Sequence, residues 1–505
     1  MGIVFRQSVK TALVLFLGAL LGAIVLWLST KYVPKQEYGF QNNFTRWALL
    51  LSVLTPVGLT NTLSVYIHKY AQQDPRRNVL LTLCFSIPLF CILIFCMFYY
   101  LAPGWIIHHF QPEDQALMSH FFGWLPIYTL LFVYMTIYEQ YLCSNMRIAA
   151  PAFVREIVLR ILNIFLIFLL AFGIIRFNTF FVCTILLYML PVLVFHVMSV
   201  QKGSFKLSLD FKRFSEKEYQ ELFQFTGFHY LLNISIMLMG SLDSLLIPFY
   251  DHRGFSIGAV YSVAVYFISL MNMPYKAFIQ SSFAAMVKAF LENNAESSKD
   301  LFVRSSVNLL IPTVGLAVIL CCNLENAVSV IGAGKNYADL APVFLILLIG
   351  QLVNIATGMN DQVLSIANYY RFNFLISLLI SGILFALIRV LVPVYGIFGA
   401  AWASTAALVL YNIIKFLFIW KKLDMQPFSR NTLLIFLAAL PALAAGYFFP
   451  YFFNPDRHVY IHTFIDATLR SLTIMVVYVG MLVWLKPSRD LETYLAGLLK
   501  NRKLF

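Results

Sequence analysis

Repetition constrains this chain more than any other feature. Roughly fourteen stretches of about 20 mostly apolar residues follow one another along it, and at 1.5 Å per residue each can cross ~30 Å of hydrocarbon. A bilayer interior offers the backbone no water, so such a chain folds as helices whose N–H and C=O groups are satisfied within each span. Composition agrees: 12% of residues are charged, about half the roughly 25% of a soluble protein, and 60% are hydrophobic. The expectation is an all-α integral membrane protein. Soluble enzymes, coiled coils, collagen and disordered chains are excluded.

Lys and Arg number 36 against 23 Asp and Glu, a net charge of +13. With both termini in the cytoplasm, the inner segments carry more Lys and Arg than the outer loops by roughly four to one, the positive-inside bias. The basic balance therefore reads as topology. No basic run interleaves with stacking aromatics, so no nucleic-acid partner is expected. The seven cysteines lie in or beside apolar stretches without a CxxC or metal spacing and read as small apolar side chains. The first apolar stretch reads as a retained helix, and no gap leaves room for a soluble domain. Ser215-x-x-Glu218 reads as a capping box that starts the seventh span.

Gly39 and Pro56 are matched by Gly258 and Pro274, and Arg147 and Gly173 by Arg371 and Gly396, each pair about 220 residues apart. That shift equals six spans and preserves orientation, so the repeat is parallel. The expected organisation is two pseudo-symmetric six-helix lobes, residues 1–199 and 226–420, joined by a cytoplasmic loop at 200–225. Two further helices follow at 421–485, then an amphipathic cytoplasmic tail at 486–505. Paired lobes suit transport by alternating access.

Several segments carry a family resemblance: KQEYG (35–39) after the first span, PVGL (56–59) in the second, SLDSLLIPF (241–249), IGAVYSVA (257–264) and LVPVYGIFGAAWAS (391–404). In order and spacing the chain resembles the polysaccharide-exporter, O-antigen flippase-like branch of the multidrug/oligosaccharidyl-lipid/polysaccharide flippase superfamily. The resemblance covers about the first 420 residues. It implies fourteen helices, a cationic central cavity, and movement of an undecaprenyl-diphosphate-linked oligosaccharide from the cytoplasmic to the periplasmic leaflet of a bacterial inner membrane. That activity would serve lipopolysaccharide or other surface-polysaccharide assembly, with other assembly proteins as partners. The chain departs from the pattern at Ser244, where relatives often carry Arg. Its first span also lacks the arginines of peptidoglycan-precursor flippases.

An anionic, hydroxyl-rich head group calls for cations, amides and hydroxyls at membrane depth. Arg46, Arg160 and Lys276 are the candidate diphosphate contacts. Ser52, Thr60 and Asn233 are the sugar candidates: Ser52, Pro56, Thr60 and Ser64 recur every four residues, and Asn233 shares such a series with His229 and Ser244. Asp243 is the candidate for H+ or Na+ coupling, with the membrane potential as the alternative driving force. Glu139 is expected to reach for head groups, and Asp466 and Arg470 to satisfy each other. The run HHFQPEDQALMSH (108–120) reads as an interfacial loop, and neither a cofactor nor a metal site is expected. The rival readings are a cation-coupled multidrug exporter of the same superfamily and a peptidoglycan lipid-precursor flippase. A glycan polymerase or acyltransferase is a remoter one, since the chain has no large outer loop for the first and no supported catalytic His for the second.

Overall fold

The computed structural model describes residues 2–70, 74–145, 149–201, 205–292, 295–331, 337–450, 459–488 and 490. All regular structure among them is helical. The chain divides into two compact units, Met1–Ala259 and Val260–Phe505. The amphipathic tail expected at 486–505 lies almost wholly outside the described residues, as does Arg147.

In the first unit, α1 (Gly2–Tyr32) is followed by α2 (Lys35–Leu54), α3 (Leu59–Lys69) and α4 (Pro75–Leu101). Two short helices on the expected outer side, α5 (Pro103–His108) and α6 (Pro112–Phe121), lead into α7 (Trp124–Ser144). The next span is a rod of α8 (Ala149–Phe153), a π turn (Val154–Val158) and α9 (Leu159–Ala171). Then come α10 (Phe177–Leu186), α11 (Met189–Val200), α12 (Glu216–Tyr250) and the first turns of α13 (Gly254–Leu291). The capping box forms as expected: Ser215 Oγ accepts from the Glu218 N–H, and Glu218 bonds back to the Ser215 N–H. At the start of α4, Asp74 caps the helix and Pro75 occupies the first turn, where its missing N–H costs nothing.

Lipid is as apolar as Leu, so packing geometry must hold these helices together. The core of the first unit is aromatic. Phe40 is fully buried, with ring centroids 5.2–5.5 Å from those of Phe44, Phe121, Phe181 and Phe255. Beside it Gly39 meets the backbone of Phe255 so closely that a Cβ would overlap the carbonyl.

The second unit contains the rest of α13, then α14 (Ala295–Cys322), α15 (Leu324–Val330), α16 (Leu340–Ala356) and α17 (Asn360–Ile366). It ends with α18 (Tyr370–Leu423), α19 (Arg430–Tyr447) and α20 (Val459–Leu485). Small residues again sit where helices approach: Gly350 faces Thr405, Gly315 faces Tyr478, and Gly446 faces Cys322 and Ile474. Asp466 and Arg470 pair at 3.1 Å, as their spacing suggests, and Arg470 Nη1 also donates to the Gly446 carbonyl at 2.6 Å.

Ten helices among the described residues are long and apolar enough to cross a membrane, and two bent pairs raise the number to twelve. Local geometry conceals two more. α18 is two helices turned at Gly396, whose φ of 56° breaks the rod. The 149–171 rod is long enough to cross a membrane and carries Arg155, Glu156 and Arg160 within it. Each of the roughly fourteen apolar stretches thereby has its helix, and the chain is a multi-pass membrane protein. Gly173, matched with Gly396 in the sequence, also ends its span at positive φ. Pro56 and Pro274 behave differently from each other: the helix breaks after Pro56 but runs through Pro274.

Candidate functional site

Five of the seven sequence candidates lie on α2, α3 and α12, which pack together in the first unit. Arg46 is half-buried on α2 and has no hydrogen-bond or ion-pair partner among the described residues. Its neighbours anchor α2 to α12: Asn43 Nδ2 donates to the Ser244 carbonyl at 2.8 Å, and Trp47 meets Phe249 edge-on at 6.1 Å. Asn233 is half-buried on α12. Asp243, also half-buried, accepts from the Ser244 N–H at 2.6 Å, and no ion pair joins it to Arg46 among the described residues.

The polar face expected along the second span is not one face. Pro56 has no N–H and clashes with the carbonyl four residues back, so the helix stops. Val57 and Gly58 turn at positive φ, and α3 resumes at 45° to α2. Ser52 and Thr60 therefore stand on different helices, with Ser52 buried and its hydroxyl donating to Leu49 at 2.7 Å. The break creates an unwound segment pressed against α12 instead. A Cβ on Gly58 would meet the Thr226 carbonyl and Tyr230, and the Thr62 and Thr226 hydroxyls lie 2.7 Å apart. Non-helical backbone at membrane depth is tolerated only where protein covers it or where it lines a cavity.

Arg160 stands in a charged network that sequence reading saw only in part. It pairs with Glu156 at 2.5 Å and donates to the Gly18 carbonyl of α1. Arg155 grips Glu139 of α7 with Nη1, at 2.8 and 3.0 Å, and reaches Glu156 with Nε at 3.1 Å. Glu139, expected to reach for head groups, is thus held by Arg155 with its side chain 15% exposed. The four-residue spacing of Glu156 and Arg160 was a readable signal. The pairing of Glu139 with Arg155 was not, because it depends on which faces of α7 and the π turn meet.

In the second unit Lys276 is exposed on α13, as is Arg389 on α18, and neither has a partner among the described residues. Lys415, which the sequence reading passed over, has a side chain only 1% exposed. Its ammonium lies 3.0 Å from Asp361 and 3.6 Å from the centre of the Tyr411 ring. Asp361 also accepts from Asn373 Nδ2 at 3.1 Å and from the Tyr411 hydroxyl at 3.2 Å. The charge balance within the spans is therefore lopsided. Glu139, Glu156, Asp361 and Asp466 each hold a cation and Asp243 accepts from the Ser244 N–H, whereas Arg46, Lys276 and Arg389 hold no anion among the described residues.

At the N-terminal ends of α4 and α12, Arg76 bridges Asp74 at 2.8 Å and Glu218 at 2.9 Å. Its hydrogen bonds hold the Asp74 carboxyl below the usual range, and the Ser215 backbone N–H does the same for Glu218. On the opposite side, in the 108–120 run, the buried Asp114 accepts from Gln36 and from the Phe255 N–H, both at 2.8 Å. No group of three or more potential metal ligands occurs among the described residues. An apolar hollow of about 290 Å³ opens between α14 and α19, lined by Val318, Leu433, Leu437 and Leu440 among others.

No model of a known protein family matches the sequence, and no curated protein matches it either. Solved structures do. The lipid II flippase MurJ, in an inward closed conformation, aligns with a TM-score of 0.68 at 15% identity over 94% of this chain and 100% of its own. An inward-facing multidrug resistance transporter of the MATE family aligns at 0.64 and 12% identity over 80% of this chain and 94% of its own. A MOP superfamily transporter from Pyrococcus furiosus Vc1 (DSM3638), described as having a binding pocket of reversed polarity, aligns at 0.55 and 12% identity over 83% of this chain and 96% of its own. The chain has the fold of the flippases and exporters of the MOP superfamily, the superfamily its motifs resemble.

Proposed function

We propose that this protein is a flippase of the bacterial inner membrane, with both termini cytoplasmic. It carries an undecaprenyl-diphosphate-linked oligosaccharide from the cytoplasmic to the periplasmic leaflet by alternating access, for surface-polysaccharide synthesis such as that of O-antigen. The observation that carries this reading is the unbalanced positive charge inside the spans. Intramembrane charge is costly and is kept where it has a partner, and the partner missing for Arg46 and Lys276 is an anion. A site built for cationic drugs would leave carboxylates unmatched instead. The residues proposed for the diphosphate are Arg46 and Arg160 in the first unit and Lys276 in the second, and those proposed for sugar hydroxyls are Asn233, Ser52 and Thr60. A second support is extent. The MurJ alignment takes in 94% of the chain and the MATE alignment 80%.

Transport runs outward down the electrical gradient when the cytoplasm is negative, since each negative charge moved gains about 2.3 kcal/mol per 100 mV. Asp243 is the residue that would add H+ or Na+ coupling. The test is genetic and chemical. Deleting the gene should make one lipid-linked saccharide accumulate on the inner leaflet. Arg46→Ala and Lys276→Ala at normal protein level should restore export at least tenfold less well than the parent. Unchanged surface glycans together with new drug sensitivity would instead establish a drug exporter.

A further inference from the structure

The Glu139–Arg155–Glu156–Arg160 network has features beyond those that holding helices together requires. Two cations and two carboxylates alternate along it. In an uninterrupted α-helix, residues five apart point about 140° away from each other. The π turn, in which the Leu159 N–H donates to the Val154 carbonyl five residues back, turns Arg155 toward the face that carries Arg160. Both arginines thereby share Glu156, one through each oxygen. The side chain of Arg155 is nevertheless 40% exposed, against 15% for both carboxylates, and its Nη2 meets no acceptor among the described residues.

With α8 starting at the cytoplasmic face, as the charge bias assigns, Arg155 lies about 9 Å along the rod and Arg160 about 16 Å. The first is the depth at which inner-leaflet head groups meet the acyl chains. A guanidinium there, whose Nη1 alone is held by both oxygens of one carboxylate, offers a diphosphate the planar geometry it prefers once that carboxylate is displaced.

The geometry points to the Arg155–Arg160 pair as an entry site for a prenyl diphosphate, with Glu139 as the internal anion that the substrate displaces from Arg155. This rests on the proposed lipid-linked substrate and adds Arg155, Glu139 and the π turn to its recognition. Glu156 stays between the two arginines and keeps them from repelling each other while the site is empty.

The test uses the full chain in nanodiscs, with farnesyl diphosphate as the probe and inorganic diphosphate beside it. Arg155→Gln should weaken probe binding by about tenfold or more, the loss of one charge-assisted bidentate contact. Glu139→Gln should tighten it several-fold, because the displaced competitor is gone. A purely structural ion pair gives the opposite sign, so weaker or unchanged binding by Glu139→Gln overturns the inference. Glu139→Gln/Arg155→Gln strands no charge. It should stay folded and fail to bind, and binding at the parental level refutes the site. Inorganic diphosphate binding as tightly as farnesyl diphosphate would assign the pair to a soluble anion and overturn lipid entry. If the Arg155 variants bind normally while Arg46→Ala and Lys276→Ala block export, this inference alone fails. If the surface glycans are independent of the gene, the underlying reading fails.

Discussion

Breaking the Asp361–Lys415 pair from its two ends should cost unequal amounts. Asp361→Asn leaves an ammonium whose side chain is 1% exposed with no counter-charge, a situation worth about 3–5 kcal/mol. Lys415→Met leaves a carboxylate that is 43% exposed and still accepts from Asn373 and Tyr411. Those two hydrogen bonds keep the remaining carboxylate satisfied, and with the lost cation–π contact the loss comes to roughly 1–2 kcal/mol. The doubly neutral Asp361→Asn/Lys415→Met should return close to the parent, because no buried charge is stranded. Unfolding titrations of the detergent-solubilised protein at pH 7.5 give the three differences and, through the cycle, a coupling of about 4–7 kcal/mol. Equal losses from the two single variants, or a double variant no better than Asp361→Asn, would refute the assignment of Lys415 as the desolvated member.

Gly39→Ala should lower stability by about 1–3 kcal/mol and reduce the monodisperse fraction on size-exclusion chromatography, because the added Cβ overlaps the Phe255 carbonyl. Gly104→Ala, with open space around its Cβ, serves as the unaffected control. Asp74 and Glu218 have folded-state pKa values below their unfolded ones, so their stabilisation is complete above the unfolded carboxylate range. It is lost as pH falls from about 4 through the folded values. Melting temperature should therefore be flat between pH 6 and 8 in this respect and fall below pH 4, with a shallower acid fall in Arg76→Gln. An equally steep fall in that variant would remove Arg76 from the explanation.

Local features were legible in the sequence. Apolar run length set the number of spans, the Lys and Arg asymmetry suggested their orientation, and the short-range pairs Ser215–Glu218 and Asp466–Arg470 were readable because both partners lie within one helical turn. Other readings failed where they extended a local period past a break. The four-residue series through Ser52 and Thr60 assumed a continuous helix, and nothing in the residue types alone says that the chain breaks after Pro56 yet runs through Pro274.

What the sequence determined by itself was the class of fold, because the bilayer leaves a long apolar run no other way to satisfy its backbone. Tertiary structure decided which charges are cancelled and which remain. In water, the polarity of a face indicates whether it is buried. Lipid and a neighbouring helix are equally apolar, so that indication is lost, and partner choice falls to shape and close packing. Glu139 found Arg155, and Lys415 found Asp361, only when α7 met the π turn and α17 met α18.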